Sequence, residues 1–310
     1  MSPSPAPAPP RSRKRPTWSQ VVLALTADLV VVLAFLFFAL GSAALDSPAR
    51  AALPAPPAGI PAGIVVPPEV WPPASRLIAI EEELTIRPPV EEVKLSIAMQ
   101  DAQGRTLVAV EDSEPFVLAS VAKLYLLVAY LAQIEAQEER LGEDDLDLLD
   151  PMIRYSDNRS ATNVWKKIGE LQGLNRFLLS HDFQALTIAE EGAWGTLEAS
   201  PAEVADLLQR LAGGSLLAPE STQVAMKLLS RIDEDQDWGV SSGVAEAGST
   251  VYLKNGWYPE KDGWRINSAG AVETPRGTYF IAVFAYPTPT MDAGIEMVER
   301  VASQLNSAMR

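Results

Sequence analysis

Ser120-Val-Ala-Lys123, Ser156-Asp157-Asn158 and Lys254-Asn255-Gly256 follow one another in this order along the chain. From Ser120 to Gln133 there is no Gly or Pro and most residues are apolar, which predicts a buried helix with Ser120 at its N-terminus. There the exposed N–H groups and the helix dipole favour developing negative charge. Lys123 is on the same face, one turn along. A serine hydroxyl is a poor nucleophile until a neighbouring base takes its proton, and a lysine serves as that base when burial and nearby positive charge lower its pKa. Val121, Ala122, Leu124 and Tyr125 surround Lys123 and predict its burial, and a buried lysine requires a reason. The plain alternative is a capping serine followed by a surface lysine.

Working outward, Lys94-Leu-Ser-Ile-Ala-Met-Gln100 alternates polar and apolar residues, the period of a half-buried strand. Asp101-Ala-Gln-Gly104 is a turn, and Arg105–Glu111 returns as the second strand of a hairpin. Helical patterns follow near 143–153, 159–170, 173–180, 201–212 and 218–231, with Ser200-Pro201 a good helix start. The last third changes character. Segments 250–254, 264–270 and 278–285 are strand-like, and 291–308 reads as a closing helix. Strands, then helices, then strands predict an α+β fold, an antiparallel sheet flanked by helices, with hairpin and C-terminal strands in one sheet. The helices of 140–215 form a lobe beside it, leaving a cleft between. Taken singly, Ser156-Asp157-Asn158 fits a turn or helix cap, and Lys254 a common lysine at a strand end.

Together the three triplets resemble the marks of the penicillin-recognising serine enzymes. From about Lys94 to the C-terminus the chain resembles class A β-lactamase-like serine hydrolases in the order of hairpin, serine helix, loop triplet, lysine strand and closing helix. The resemblance implies an acyl-enzyme at Ser120 formed with β-lactams or D-alanyl-D-alanine peptides of the cell wall, with Lys123 as base and no cofactor. Ser156 relays a proton to the leaving nitrogen, and Asn158 hydrogen-bonds a substrate amide. Asp157 is structural. Lys254 holds a substrate carboxylate, Gly256 lets substrate approach the backbone, and the N–H groups of Ser120 and Trp257 form the oxyanion hole.

Three departures qualify this. Asn255 replaces the Ser or Thr that usually helps bind the substrate carboxylate, although an amide also donates a hydrogen bond. Ser120 and Ser156 lie closer in sequence than is usual, which implies a trimmed helical lobe. Class A enzymes position a deacylating water with a loop glutamate and an asparagine four residues on. Here Leu186–Ser200 holds Glu190 and Glu191, and no asparagine follows. Either one of them is the base or both are solvated loop acids. Without a positioned base, acylation proceeds while hydrolysis stays slow, as in a penicillin-binding protein or D,D-peptidase. A non-catalytic domain that binds cell-wall peptides or protein partners is the remaining rival.

His181, the only histidine, ends a helix beside Asp182 and is expected at the surface, so a Ser-His-Asp triad is not expected. One histidine and no cysteine argue against zinc. Trp238, Trp257 and Trp264 cluster around the lysine strand and read as core packing or cleft lining. The N-terminal 20 residues hold four basic residues and no acidic ones, although the whole chain carries a formal charge of −15. So acidic a body argues against a nucleic-acid partner. Residues 21–44 are almost continuously apolar, enough to cross a bilayer with the N-terminus cytoplasmic. An uncleaved anchor and a cleaved signal peptide both fit. Asp28 within it reads as an acid snorkelling to the headgroups or as a functional intramembrane acid. The Pro/Ala-rich stretch 45–75 reads as a spacer, and the folded body is expected from residue 76.

Overall fold

Eleven consecutive sheet pairings, Thr250↔Glu273 through Glu260↔Gly263, join two long antiparallel strands near the C-terminus and set the frame of the fold. The computed structural model describes residues 78–82, 92–189 and 194–310. The expected anchor with Asp28, the spacer, Glu190 and Glu191 all lie outside the described residues. Those that are described belong to one unit, Val66–Arg310.

Strands β1 (Lys94–Asp101) and β2 (Thr106–Val110) form the expected hairpin. Its turn is closed by the Asp101 carboxylate, which accepts from the N–H groups of Gln103 and Arg105 at 2.9 Å each. A two-residue strand β3 (Phe116–Val117) leads into a 3-10 turn, Ala119–Ala122, and then helix α1 (Lys123–Ala136). The single helix expected from Ser120 is thus split, and the nucleophile candidate sits in the tighter turn. Helix α1 is buried on nearly every side, as its uninterrupted apolar run requires. Helices α2 (Glu143–Arg154), α3 (Asn158–Lys167) and α4 (Glu170–Ser180) pack around it.

After α4 come β4 (Thr187–Ile188) and β5 (Leu197–Ala199). With β3 they make a small sheet in the order β3-β5-β4. Strands this short carry no readable period, so the sequence does not announce them. Helix α5 (Pro201–Ala212) starts where Ser200-Pro201 predicts. Ser200 Oγ accepts from Glu203 N at 3.2 Å, and Glu203 Oε2 accepts from Ser200 N at 2.7 Å, a reciprocal capping box. Helix α6 (Pro219–Leu229) follows.

Strands β6 (Thr250–Glu260), β7 (Gly263–Thr274) and β8 (Gly277–Thr288) complete a five-stranded antiparallel sheet in the order β2-β1-β8-β7-β6, and α7 (Met291–Ala308) closes the chain. Hairpin and C-terminal strands share one sheet, as expected, because β1 pairs with β8 from Lys94↔Tyr286 to Asp101↔Tyr279. Both faces of the sheet are covered. Tyr279, Ile281 and Val283 join the core under α7, whereas Phe280, Ala282 and Phe284 join the core under the helical lobe. A strand covered on both faces is apolar throughout instead of alternating, which explains Phe280-Ile-Ala-Val-Phe284.

Helix α7 lies so close to the sheet that a Cβ at Gly294 would fall 2.3 Å from Ile266 Cγ1 and 2.5 Å from Thr288 Oγ1. Alanine gains about 1 kcal/mol of helix propensity over glycine, but overpacking costs about 1–3 kcal/mol. Gly294→Ala is therefore expected to lower stability in urea unfolding. A gain would show that α7 moves freely off the sheet.

Candidate active site

Ser120 is held by the turn that carries it. Leu118 N donates to Leu197 O at 2.8 Å, tying the turn to the small sheet. Asn267 on β7, fully buried, donates its side-chain Nδ2 to Val117 O at 2.9 Å and Leu118 O at 3.2 Å. Ala119 takes a left-handed φ of 50°, a conformation that costs a non-glycine residue about 1–3 kcal/mol and persists only where its surroundings enforce it. Ala119 and Val121 are buried, while Ser120 itself is partly exposed. Asn267 was not anticipated, although an amide in the middle of an otherwise apolar strand is a readable signal.

The amine of Lys123 sits in a ring of oxygens. Its Nζ lies 2.9 Å from Ser120 Oγ, 2.9 Å from Ser156 Oγ, 2.5 Å from Ser156 O and 2.8 Å from Asn158 Oδ1. Lys123 is fully buried. Burial pulls its pKa from 10.5 down to about 7, against a smaller upward pull from Asp157. A substantial fraction is therefore neutral near pH 7, and a neutral amine has a lone pair to accept the Ser120 proton.

The second triplet supplies half of that ring. Ser156 is buried and turned into a left-handed φ of 57°, which directs both its carbonyl and its hydroxyl at Lys123. Asp157 Oδ1 caps α3 by accepting from Ser160 N at 2.6 Å, the structural role expected of it. Its pKa is lowered, mainly by the bonds from Ser160. Asn158 commits its carbonyl oxygen to Lys123. Its NH2 group supplies the donors suited to a substrate carbonyl.

The third triplet lies inside β6 rather than after a strand, so alternate residues face opposite ways. Lys254 and Gly256 face the turn that carries Ser120. Lys254 is buried and donates to Asn255 O at 2.9 Å. Its pKa is well below 10.5, first from burial and then from the charge of Lys123, which places both amines in one electrostatic neighbourhood. Gly256 is required by the chain itself. A Cβ there would come within 2.6 Å of Leu118 O and 2.8 Å of Ser120 N. The turn that carries Ser120 thus already makes a close approach to the backbone at Gly256.

The reading of Asn255 is corrected. It is buried on the opposite face, and its Nδ2 donates to Gln236 O at 2.8 Å and Trp238 O at 2.9 Å. The amide pins a loop to the sheet and does not reach a substrate carboxylate. Trp257 shares that face. Its ring packs on Trp238 with centroids 6.0 Å apart, so only its backbone is on offer to the site. His181 lies at the end of α4 against Phe177, with ring centroids 4.4 Å apart.

Beside the ring of oxygens is a residue to which the sequence gives no role. Trp194 begins a short 3-10 turn, Trp194–Thr196. The Lys123 amine stands over its indole, 4.9 Å from the ring centroid.

A hydroxyl, two amines and a loop serine converging between an antiparallel sheet and a helical lobe define the fold of a penicillin-recognising serine enzyme. The sequence pattern of the Beta-lactamase enzyme family matches residues 145–309, and the chain belongs to that family. The match takes in the second and third triplets and begins after Ser120. No curated protein matches the chain. Among solved structures, a class A β-lactamase from Bacteroides cellulosilyticus superposes with a TM-score of 0.65 at 18% identity, over 76% of this chain and 97% of the other. PBP-A superposes at 0.62 and 19% identity, over 77% and 98%. A substituted PBP-A in acyl-enzyme complex with penicillin G superposes at 0.62 and 18% identity, over 76% and 96%. At these identities the likeness is one of fold.

Lys123 and Lys254 both have pKa values lowered by folding. Above a pH of about 7 the unfolded chain binds more protons than the folded one at these sites, so they make stability rise with pH between about 7 and 10. Urea unfolding is expected to show a smaller gain over that interval in Lys123→Met than in the unaltered chain. Equal gains would mean that the amine is fully charged in the folded protein at neutral pH.

Proposed function

We propose that the protein is a serine acyl-transfer enzyme that opens β-lactams, forms an acyl-enzyme at Ser120 and releases it slowly. The observation that carries this reading is the 2.9 Å separation of Ser120 Oγ from an amine whose pKa is lowered to about 7. In the neutral state of Lys123 the Ser120 hydroxyl donates to Nζ. As Oγ bonds to the carbonyl carbon of the substrate, its proton passes to that nitrogen. The developing oxyanion is received by the N–H groups of Ser120 and Trp257. The proton then reaches the leaving nitrogen through the Ser156 hydroxyl, which lies 2.9 Å from Lys123 Nζ. Lys254, on the facing strand and in the electrostatic reach of Lys123, is the amine placed to hold a substrate carboxylate.

The same machinery suits D,D-peptidase action on cell-wall peptides. The missing loop asparagine favours that second reading, because an acyl group without a positioned water persists. A non-catalytic binding domain is disfavoured by the cost of burying two lysines that a purely binding surface does not need. The four basic residues ahead of the apolar run 21–44 support a single-pass anchor in the cell membrane with the body outside the cytoplasm.

Incubation with a fluorescent penicillin is expected to give a covalent adduct that is lost in Ser120→Ala. The labelling rate should rise with pH through about 7 and then level, as Lys123 becomes neutral. Lys123→Met should slow labelling by about 10²–10⁴-fold, the usual contribution of a general base. Intact mass separates the two enzymatic readings. Rapid return to the free mass marks a β-lactamase, and a lasting adduct marks a penicillin-binding enzyme. Absence of any adduct with β-lactams and peptide esters would overturn both.

A further inference from the structure

We propose that Trp194 is a positioning residue that caps the Lys123 amine, shutting hydrolytic water away from it and so prolonging the acyl-enzyme. The proposal rests on the acyl-enzyme reading above and adds a physical cause for slow release.

The cap is built from both ends. Its backbone is fixed to the nucleophile segment. The turn Trp194–Thr196 runs into β5, which pairs with β3 at Phe116↔Ala199 and Val117↔Glu198. Thr196 O accepts from Ala189 N at 3.0 Å, and Leu197 O accepts from Leu118 N at 2.8 Å. Its ring is fixed to the second triplet. Trp194 Nε1 donates to Thr162 Oγ1 at 3.1 Å, Thr162 Oγ1 donates to Asn158 O at 2.9 Å, and Asn158 Oδ1 accepts from Lys123 at 2.8 Å. Lys123, Asn158, Thr162 and Trp194 thus close a loop in which the indole plane lies over the amine. The ring face carries negative charge density and attracts an ammonium, the more strongly where the pair is desolvated.

The consequence concerns the second half of the reaction. Release requires a water oxygen to bond to the ester carbon while a base takes its proton. The carbon–Oγ bond then breaks, and Ser120 Oγ takes a proton back. Among the described residues Lys123 is the amine within hydrogen-bond distance of Oγ. Its nitrogen is already surrounded by Ser120 Oγ, Ser156 O, Ser156 Oγ and Asn158 Oδ1, and the indole covers a further side. A water that used Lys123 as its base would have to displace the ring. The first half of the reaction needs no such water, because the Ser120 proton passes directly across 2.9 Å.

The test uses the full chain, with Trp194→Ala, Trp194→Phe and Thr162→Val. One readout is the rate at which trinitrobenzenesulfonate modifies Lys123, followed by peptide mass spectrometry. The other is the lifetime of the penicillin adduct by intact mass. Trp194→Ala should raise Lys123 modification and shorten the adduct lifetime by about tenfold each, the scale of losing one desolvated cation–π contact. Trp194→Phe keeps an aromatic face but loses the Nε1 donor to Thr162, so both readouts should fall between those of the unaltered chain and Trp194→Ala. Thr162→Val, which frees the ring without removing it, should move both readouts in the direction of Trp194→Ala, and it serves if Trp194→Ala does not fold. Unchanged Lys123 modification in Trp194→Ala and Thr162→Val would overturn the cap. Raised modification with an unchanged adduct lifetime would overturn its role in water exclusion. If the unaltered chain gives no adduct, the acyl-enzyme reading itself fails, and Lys123 modification still decides whether the cap exists.

Discussion

An ammonium removed from water is the constraint around which the rest of this structure is arranged. Lys123 is fully buried at the head of the most apolar helix among the described residues. Such a group either finds several acceptors or gives up its proton. Lys123 does both, with four oxygens around its nitrogen and a pKa drawn down to about 7. Two of the oxygens belong to Ser156, whose left-handed φ is tolerated because it presents them. The chemistry and the fold are therefore the same problem. Apolar packing lets the amine be neutral near pH 7, and the polar ring keeps it in place beside Ser120.

Buried amides hold the two halves of the cleft together. Asn267 draws the turn before Ser120 onto β7, and Gly256 removes the side chain that would keep that turn away from β6. On the other face Asn255 fastens the loop at Gln236–Trp238. Asn306 of α7 donates to Val240 O at 3.0 Å and Ser242 O at 2.7 Å, and Tyr279 donates to Asn306 Oδ1 at 2.7 Å. Half-satisfied amides in a core cost stability. Asn255 and Asn267 each retain a buried carbonyl oxygen without a hydrogen-bond partner. That cost is met where it fixes the strand bearing Lys254 and the turn bearing Ser120, the two walls that have to stay in register.

The family assignment and the local geometry pull on function in different ways. The fold is shared with class A β-lactamases and with PBP-A, and Ser120 and Ser156 each stand within hydrogen-bond distance of Lys123. Beside the base, an indole stands over the amine. An aromatic face can shield an amine, but it cannot take a proton from water. In the proposed reaction, acylation and release would thus depend on different residues.

Much of the fold was legible in the sequence. Alternation in Lys94–Gln100, the Ser200-Pro201 start of α5 and the burial of the helix after Ser120 are local consequences of side-chain chemistry, as is the order of the three triplets. The site was legible as a set of residue types, with Ser120, Lys123, Ser156 and Lys254 brought into one neighbourhood. Other features depended on packing between distant segments. A one-residue step along β6 decides that Lys254 faces the Ser120 turn and Asn255 does not. Asn267 finds its acceptors 150 residues away. Trp194 meets Lys123 only because β5 pairs with β3. Local sequence specifies periods and propensities. Which face a strand residue presents, how dry an amine becomes and what lies above it are set by neighbours that only the tertiary fold supplies.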